Sequence, residues 1–253
     1  LNIGVIGCGA IGRDHIRRLT DLVPGCQVVA CADYFEEAAI KVAAQYEGMK
    51  AYKTGEELIA APEVQAVVIT SSDPSHAGYV LEALKAGKFV FCEKPLAQNA
   101  EDCEKIIAAE TAHGRRLLQV GFMRRYDHSY QVAKKKMENG DIGDVILVRC
   151  YSQDPISIIE GTLEYAPRSG GQFIDMSIHD FDLIRWLTGS EVKELWATGG
   201  CYEFKQYKDW DDGDNVSGLM KMENDAMAFF FAGRAAAHGS HVETEIVGTR
   251  GTL

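Results

Sequence analysis

Five residues, Asn2-Ile3-Gly4-Val5-Ile6, run without a break into Gly7-Cys8-Gly9-Ala10-Ile11-Gly12, and the segment from there to Leu19 has the apolar spacing of an amphipathic helix. A strand passing into a helix through glycines at this spacing has few alternatives. The first glycine permits a tight turn, the second keeps the backbone approachable from above, and the third lets the helix press onto the strand. The alternation continues. Gln27–Ala32, Ala66–Thr70, Lys88–Cys92 and Leu117–Val120 read as short, mostly apolar strands, with helices expected over about Glu36–Tyr46, His76–Ala86 and Asn99–Ala112. Strands this short and apolar, separated by helices, require a parallel sheet covered on both faces. An α/β, doubly wound domain is therefore expected over residues 1–122.

After Gly121 the rhythm changes. A helix is expected over Ser129–Glu138, a strand over Val145–Tyr151, a long loop over 152–172, and a helix from Asp175 to Leu187 closed by Thr188-Gly189. Strand-like segments then follow one another near 192–202, 216–222, 226–232 and 242–247. Consecutive strands favour antiparallel pairing, so residues 123–253 are read as an α+β domain with a largely antiparallel, open sheet.

Composition removes several function classes. Lys+Arg 26 against Asp+Glu 37 gives a net charge of -11, and both halves share the excess, so a polyanion such as DNA meets repulsion and no nucleic-acid partner is expected. The longest greasy stretches, such as Ala226–Ala232, fall far short of the ~20 residues a membrane helix needs, so no membrane partner is expected. The seven cysteines contain no Cys-x-x-Cys pair and read as reduced thiols of a cytoplasmic chain, with no disulfide framework or zinc site. Lys134-Lys135-Lys136 reads as a solvated helix face, and His15 as a packing or capping residue.

The glycine loop also has a ligand reading. A helix N-terminus offers unpaired N–H groups to an anion, and Gly7, Gly9, Ala10, Ile11 and Gly12 match the fingerprint that cradles a dinucleotide pyrophosphate in a Rossmann fold. Asp33, 21 residues past Gly12 at the end of the second strand, is placed to accept from the adenosine ribose hydroxyls. Tyr34 and Phe35 follow it, with no adjacent cation for a 2′-phosphate, so NAD is expected over NADP; Arg13 leaves room for dual use. The competing reading is a glycine-rich turn without a ligand.

Two further constellations carry chemistry. Glu93-Lys94-Pro95 follows a strand at the carboxyl edge of the sheet, where a lysine can donate to a substrate hydroxyl or carbonyl; a lysine opening a surface turn is the alternative. Asp175 and His179 stand four apart, so on one helix they share a face, and a carboxylate beside an imidazole makes a general base for alcohol oxidation. A capping Asp with a packed His remains open, as does a metal set of Asp175, His179 and Asp182.

Together these segments resemble the Gfo/Idh/MocA family of nicotinamide-dependent oxidoreductases: Gly4-Val-Ile-Gly-Cys-Gly-Ala-Ile-Gly-Arg-Asp-His15, Glu93-Lys94-Pro95 and Asp175-Met-Ser-Ile-His179-Asp occur in that family's order. Gln119-Val-Gly-Phe-Met-Arg-Arg-Tyr-Asp127 and Ser169-Gly-Gly-Gln-Phe-Ile-Asp-Met176 resemble its myo-inositol 2-dehydrogenases more specifically. The resemblance implies an NAD-dependent enzyme that oxidises a secondary hydroxyl of a cyclic polyol or sugar to the ketone. Lys94 would bind and orient the reacting hydroxyl, and His179, backed by Asp175, would take its proton. Ser71, Ser72, His76 and Glu93 would line the dinucleotide, Met123 and Arg124 would border nicotinamide and substrate, and Asp154 would touch the substrate. An aldose or sugar-derivative dehydrogenase is the alternative within the family, and a non-catalytic NAD-binding sensor the alternative outside catalysis.

One segment departs from the inositol dehydrogenase pattern. His238-Gly239-Ser240-His241 stands where an aromatic Gly-Tyr-Asp segment is usual, which opens the question of the substrate isomer. By the same resemblance a homotetramer packed sheet to sheet is expected, as is a C-terminally incomplete chain, since family members extend beyond the Gly248–Leu253 turn and strand.

Overall fold

Ile3, Val5 and Ile6 are buried in β1 (Asn2–Ile6), the strand on which the first half of the chain is built. The structure is a computed structural model that describes residues 1–253, in two compact units, Leu1–Gly121 and Phe122–Leu253. In the first unit β1 leads to α1 (Ala10–Asp21), β2 (Gln27–Ala32), α2 (Glu36–Ala43), β3 (Lys50–Tyr52), α3 (Gly55–Ala60), β4 (Ala66–Ile69), α4 (His76–Lys85), β5 (Phe89–Cys92), α5 (Ala100–Thr111) and β6 (Leu118–Val120). All six strands pair in parallel, in the order β3-β2-β1-β4-β5-β6. The doubly wound expectation therefore holds.

Each face of this sheet has its own core. Ile6, Leu58, Val67, Ile69 and Leu84 pack on one side, and Val5, Ile16, Val28, Val42 and Val68 on the other. Each such side chain contributes about 1.5–3 kcal/mol by leaving water. Two elements were not foreseen. β3 has three residues, none buried, so no apolar run announces it. α3 is only six residues long and depends on the Thr54 side chain, which accepts from the Glu57 N–H, and on buried Leu58 and Ile59. Neighbouring β1 and β4 carry the chain in opposite directions across the sheet, which opens a crevice at their carboxyl ends.

The second unit begins with a single 3-10 turn, Met123–Tyr126, and then α6 (His128–Glu138), whose N-terminus is capped by the Asp127 carboxylate. β7 (Val145–Pro155), α7 (Ile159–Tyr165), α8 (Gln172–Asp175), α9 (Ile178–Thr188), β8 (Val192–Gly200), β9 (Asn215–Met222), β10 (Met227–Ala236) and β11 (His241–Gly248) follow. The sheet order is β11-β7-β10-β9-β8. Its pairs are antiparallel except for the central one, β7 with β10. α9 covers one face, with Leu183, Ile184 and Leu187 packed in a cluster with Val148, Cys150, Ala228 and Phe230. Gly189 ends α9 in the left-handed conformation that glycine adopts without strain. The outer face exposes Trp196, Leu219 and Met227, beside the ion-paired Arg149, Glu243 and Glu245.

Two expectations need correction here. Residues 152–172 are not one loop: β7 continues to Pro155 and α7 occupies Ile159–Tyr165, a helix with no buried residue and therefore no apolar stripe to reveal it. The helix expected from Asp175 to Leu187 is broken, because α8 ends at Asp175 and Met176-Ser177 turn the chain before α9 begins. No helix is long and apolar enough to cross a membrane.

Candidate functional site

In the first unit the carboxyl ends of β1, β4 and β5 lie side by side, which brings the glycine loop, Thr70–Ser72 and Glu93-Lys94 to one edge. Gly7 has φ +101° and donates its N–H to the Ala32 carbonyl at 2.8 Å. A Cβ there would meet the Thr70 backbone at 2.5 Å, and one on Gly12 would overlap the Gly7 carbonyl oxygen. Gly9 is different: a Cβ built on it meets nothing within 4 Å, so the space above it is open. It precedes α1, where no side chain caps the helix and no acid stands in the first turn, so the N–H groups around Ala10 and Ile11 are left open to an anion.

Asp33 is tied to this loop directly. Its Oδ2 accepts from the Cys8 N–H at 2.7 Å and its Oδ1 from the Phe35 N–H at 2.9 Å. Each carboxylate oxygen has a second lone pair, so the group retains capacity for ribose hydroxyls. The cradle thus fits a dinucleotide: open over Gly9, with the partial positive charge of the helix end, and bounded by a fixed acid. Arg13 turns its guanidinium to the Cys8 carbonyl at 3.2 Å.

Lys94 follows β5, half-buried, and its peptide with Pro95 is cis. Glu93 pairs with His15 of α1 at 2.8 Å, which gives His15 a role beyond the packing or capping expected. Burial works to raise the Glu93 carboxyl, but His15 and the Lys94 N–H outweigh it and hold it below its ordinary value. Ser71 shares a hydrogen bond with Ser75 at 2.7 Å, and Ser72 is exposed beside it. His76 departs from expectation. It is 1% exposed, with Nδ1 2.7 Å from the Pro95 carbonyl and Nε2 3.0 Å from the Ser71 carbonyl. Its ring ties the Ser71 loop to the Lys94-Pro95 turn and has no surface left for a ligand.

In the second unit, Met123 is open to solvent while Arg124, its neighbour, is 8% exposed. Arg124 donates to Asp180 Oδ1 at 2.6 Å and to the Ser152 hydroxyl at 2.8 Å, and Ser152 donates to the same Asp180 oxygen at 2.8 Å. Its guanidinium, expected to border nicotinamide and substrate, is instead committed to an internal ion pair that ties the turn before α6 to β7 and α9. Asp180 is wholly buried, and that burial pushes its carboxyl above the ordinary value despite Arg124 and Ser152. Arg125 makes a two-pronged pair with Asp182, at 2.8 and 2.7 Å.

Asp175 and His179 flank the break between α8 and α9, with the His179 N–H reaching back to the Met176 carbonyl at 3.3 Å. Their spacing is therefore set by a turn rather than by one helix face. Asp154 lies in β7 two residues beyond Ser152, on the same face of the strand. One residue was missed altogether. Arg234 of β10, its side chain 3% exposed, donates to Asp175 Oδ2 at 2.8 Å. The available signal was a lone charge on the inward register of the apolar stretch Phe229–Ala236, since buried arginines are rare unless paired.

Residues 1–122 match the family described as "Oxidoreductase family, NAD-binding Rossmann fold", and residues 130–253 match the "GFO/IDH/MocA C-terminal domain". The chain belongs to the Gfo/Idh/MocA oxidoreductases. This Gfo/Idh/MocA chain is 39% identical over all 253 residues to an inositol 2-dehydrogenase of Acidothermus cellulolyticus, of which it covers 72%. It is 45% identical over 213 residues, 83% of its length, to an inositol 2-dehydrogenase of Serratia proteamaculans, of which it covers 61%. Among solved structures, scyllo-inositol dehydrogenase from Lactobacillus casei with bound NAD(H) and scyllo-inositol is similar at TM-score 0.93 and 36% identity, covering 100% of this chain and 75% of that one. The N-terminal unit is accordingly an NAD-binding Rossmann domain.

Proposed function

We propose that this chain is an NAD-dependent dehydrogenase acting on a cyclic polyol, an inositol, and converting one secondary ring hydroxyl to the ketone. The observation that carries the reading is that likeness to inositol dehydrogenases extends along all 253 residues and includes a structure holding both NAD(H) and scyllo-inositol. NAD, when bound, supplies the hydride acceptor. The N–H groups opening α1 hold its pyrophosphate over Gly9, Asp33 holds its adenosine ribose, and Ser71, Ser72 and Glu93 line its path. Lys94 donates to the substrate oxygen and orients the hydroxyl. His179 takes the hydroxyl proton on its ring, and the Asp175 carboxylate stabilises the resulting imidazolium. Met123 borders the nicotinamide, and Asp154 binds a further hydroxyl of the ring.

His238 and His241 meet edge to face at 5.6 Å, and His241 stacks on Tyr151 at 6.2 Å. Hydrogen-bonding rings in this segment favour a polyol, and leave the isomer to experiment. The reading is tested with a panel of inositol isomers and aldoses, following reduced NAD by absorbance. Turnover of at least one inositol, with a much higher kcat/KM with NAD than with NADP, is expected. Full activity on an aldose with none on any inositol overturns the substrate assignment.

Trp196, Leu219 and Met227, exposed on the outer face of the five-stranded sheet, support a homotetramer packed sheet to sheet, and seven free thiols support a cytoplasmic location. Light scattering that finds a monomer contradicts the assembly.

A further inference from the structure

We infer that Arg234 is a positioning residue of the dehydrogenase site, holding the Asp175 carboxylate in the orientation from which it serves His179. The inference rests on the roles proposed above for Asp175 and His179. Ala228, Phe230, Ala232 and Arg234 alternate along the helix-covered face of β10, and the first three are apolar members of the core under α9. Placing a guanidinium in that series costs desolvation that an apolar side chain of similar volume avoids, so core packing alone does not call for it.

Three acids, Asp175 from α8 and Asp212 and Asp214 from the segment before β9, act together with this guanidinium on one buried hydroxyl. Tyr207, from the 3-10 turn Lys205–Trp210, reports their field. Burial pushes its hydroxyl up to about 12, Arg234 opposes the rise, and Asp212, Asp214 and Asp175 add to it. Two of the acids are held by other groups. Asp214 accepts from the N–H groups of Tyr202, Glu203 and Phe204 and from the Asn215 amide, and Asp212 accepts from the Gln172 N–H at 3.0 Å. Arg234 makes its side-chain hydrogen bond to Asp175, at 2.8 Å, while its Nε is buried without a partner. The guanidinium therefore serves the acid proposed to support the base, rather than stitching the loops that carry the other two.

The test uses Arg234→Gln, Asp175→Asn and the double variant, with Arg234→Lys as a conservative control, each checked by circular dichroism and for NAD binding. Arg234→Gln is expected to lower kcat by about tenfold or more with little change in the KM for NAD. Arg234→Lys recovers part of that loss, and the double variant is no slower than Asp175→Asn alone. In ligand-free protein with 15N-labelled histidine, the His179 titration midpoint is expected to fall by about half a unit or more in Arg234→Gln, and the double variant to titrate as Asp175→Asn does. Losses in kcat that multiply, or a His179 midpoint that stays put or rises, overturn the inference. If Arg234→Gln does not fold, the same comparisons are made with Arg234→Lys. A wild-type protein that oxidises no inositol overturns the functional reading instead, and the His179 titration still decides the role of Arg234.

Discussion

The two candidate regions, one in each unit, are made of different material. The glycine loop in the first unit is almost wholly backbone: N–H groups at a helix end, a turn that only glycine can make, and one carboxylate hydrogen-bonded to the loop. The α8–α9 region in the second unit is held by side-chain ion pairs between residues far apart in sequence, Arg124 with Asp180, Arg125 with Asp182 and Asp175 with Arg234. The backbone site is fixed by local geometry and tolerates no extra atom at Gly7 or Gly12. Ion-paired sites are fixed by partners, and are lost when one partner is removed.

The largest expected effect falls on chemistry alone. His179→Ala is expected to lower kcat by about 10²–10⁴-fold, as loss of a general base does, while NAD affinity measured by fluorescence stays near wild type. Parallel loss of NAD binding would break the division of labour between the two regions. Next is the buried pair. Arg124→Met strands the Asp180 carboxylate and should cost about 3–5 kcal/mol in denaturant unfolding, whereas Arg124→Met with Asp180→Leu should recover much of it. A smaller contrast lies within the glycine loop. Gly12→Ala, whose Cβ overlaps the Gly7 carbonyl, should cost about 1–3 kcal/mol. Gly9→Ala, at φ -68° with open space above, should stay within ~0.5 kcal/mol of wild type yet bind NAD more weakly.

The smallest effect is in the pH dependence of stability, where the two regions carry opposite signs. Glu93 is held below its ordinary 4.5, so its contribution is present above that value and fades as pH falls through the folded value. Asp180 is raised above 3.8, so its contribution is complete below that value and is lost as pH rises through the folded one. Unfolding between pH 3 and 6 should show Glu93→Gln flattening a rise and Asp180→Asn removing a fall. For Glu93 the change should be less than ~1 kcal/mol.

The same contrast explains what could be read from the sequence. Gly7, Gly9, Gly12 and Asp33 form a contiguous pattern whose spacing is dictated by one turn and one strand, so position in the chain nearly determines position in space. The place of Lys94 in the fold was legible because β5 ends at Cys92, two residues before it. His76 and Arg124 were legible as polar residues in the right segments, but their burial depends on carbonyls and acids contributed from elsewhere in the chain. Arg234 was invisible for the same reason, its partner lying 59 positions earlier across an irregular connection. The α8–α9 break was missed because Phe173–Leu187 keeps a helical apolar spacing through Met176-Ser177, and the turn there is made by backbone hydrogen bonds to the Gln172 carbonyl.

The parallel pairing of β7 with β10 sets an order of events on the ribosome. The hydrogen bonds described for the glycine loop join only residues between Gly7 and Phe35, on β1, α1 and the end of β2. α9 leaves the exit tunnel long before β10, so Asp175 is made and solvated while its guanidinium is still to be translated. At typical synthesis rates of about 5–20 residues per second that interval lasts several seconds. A nascent chain paused between β9 and β10 would carry a finished nucleotide cradle and, in the following unit, a half-sheet with an unpaired central edge.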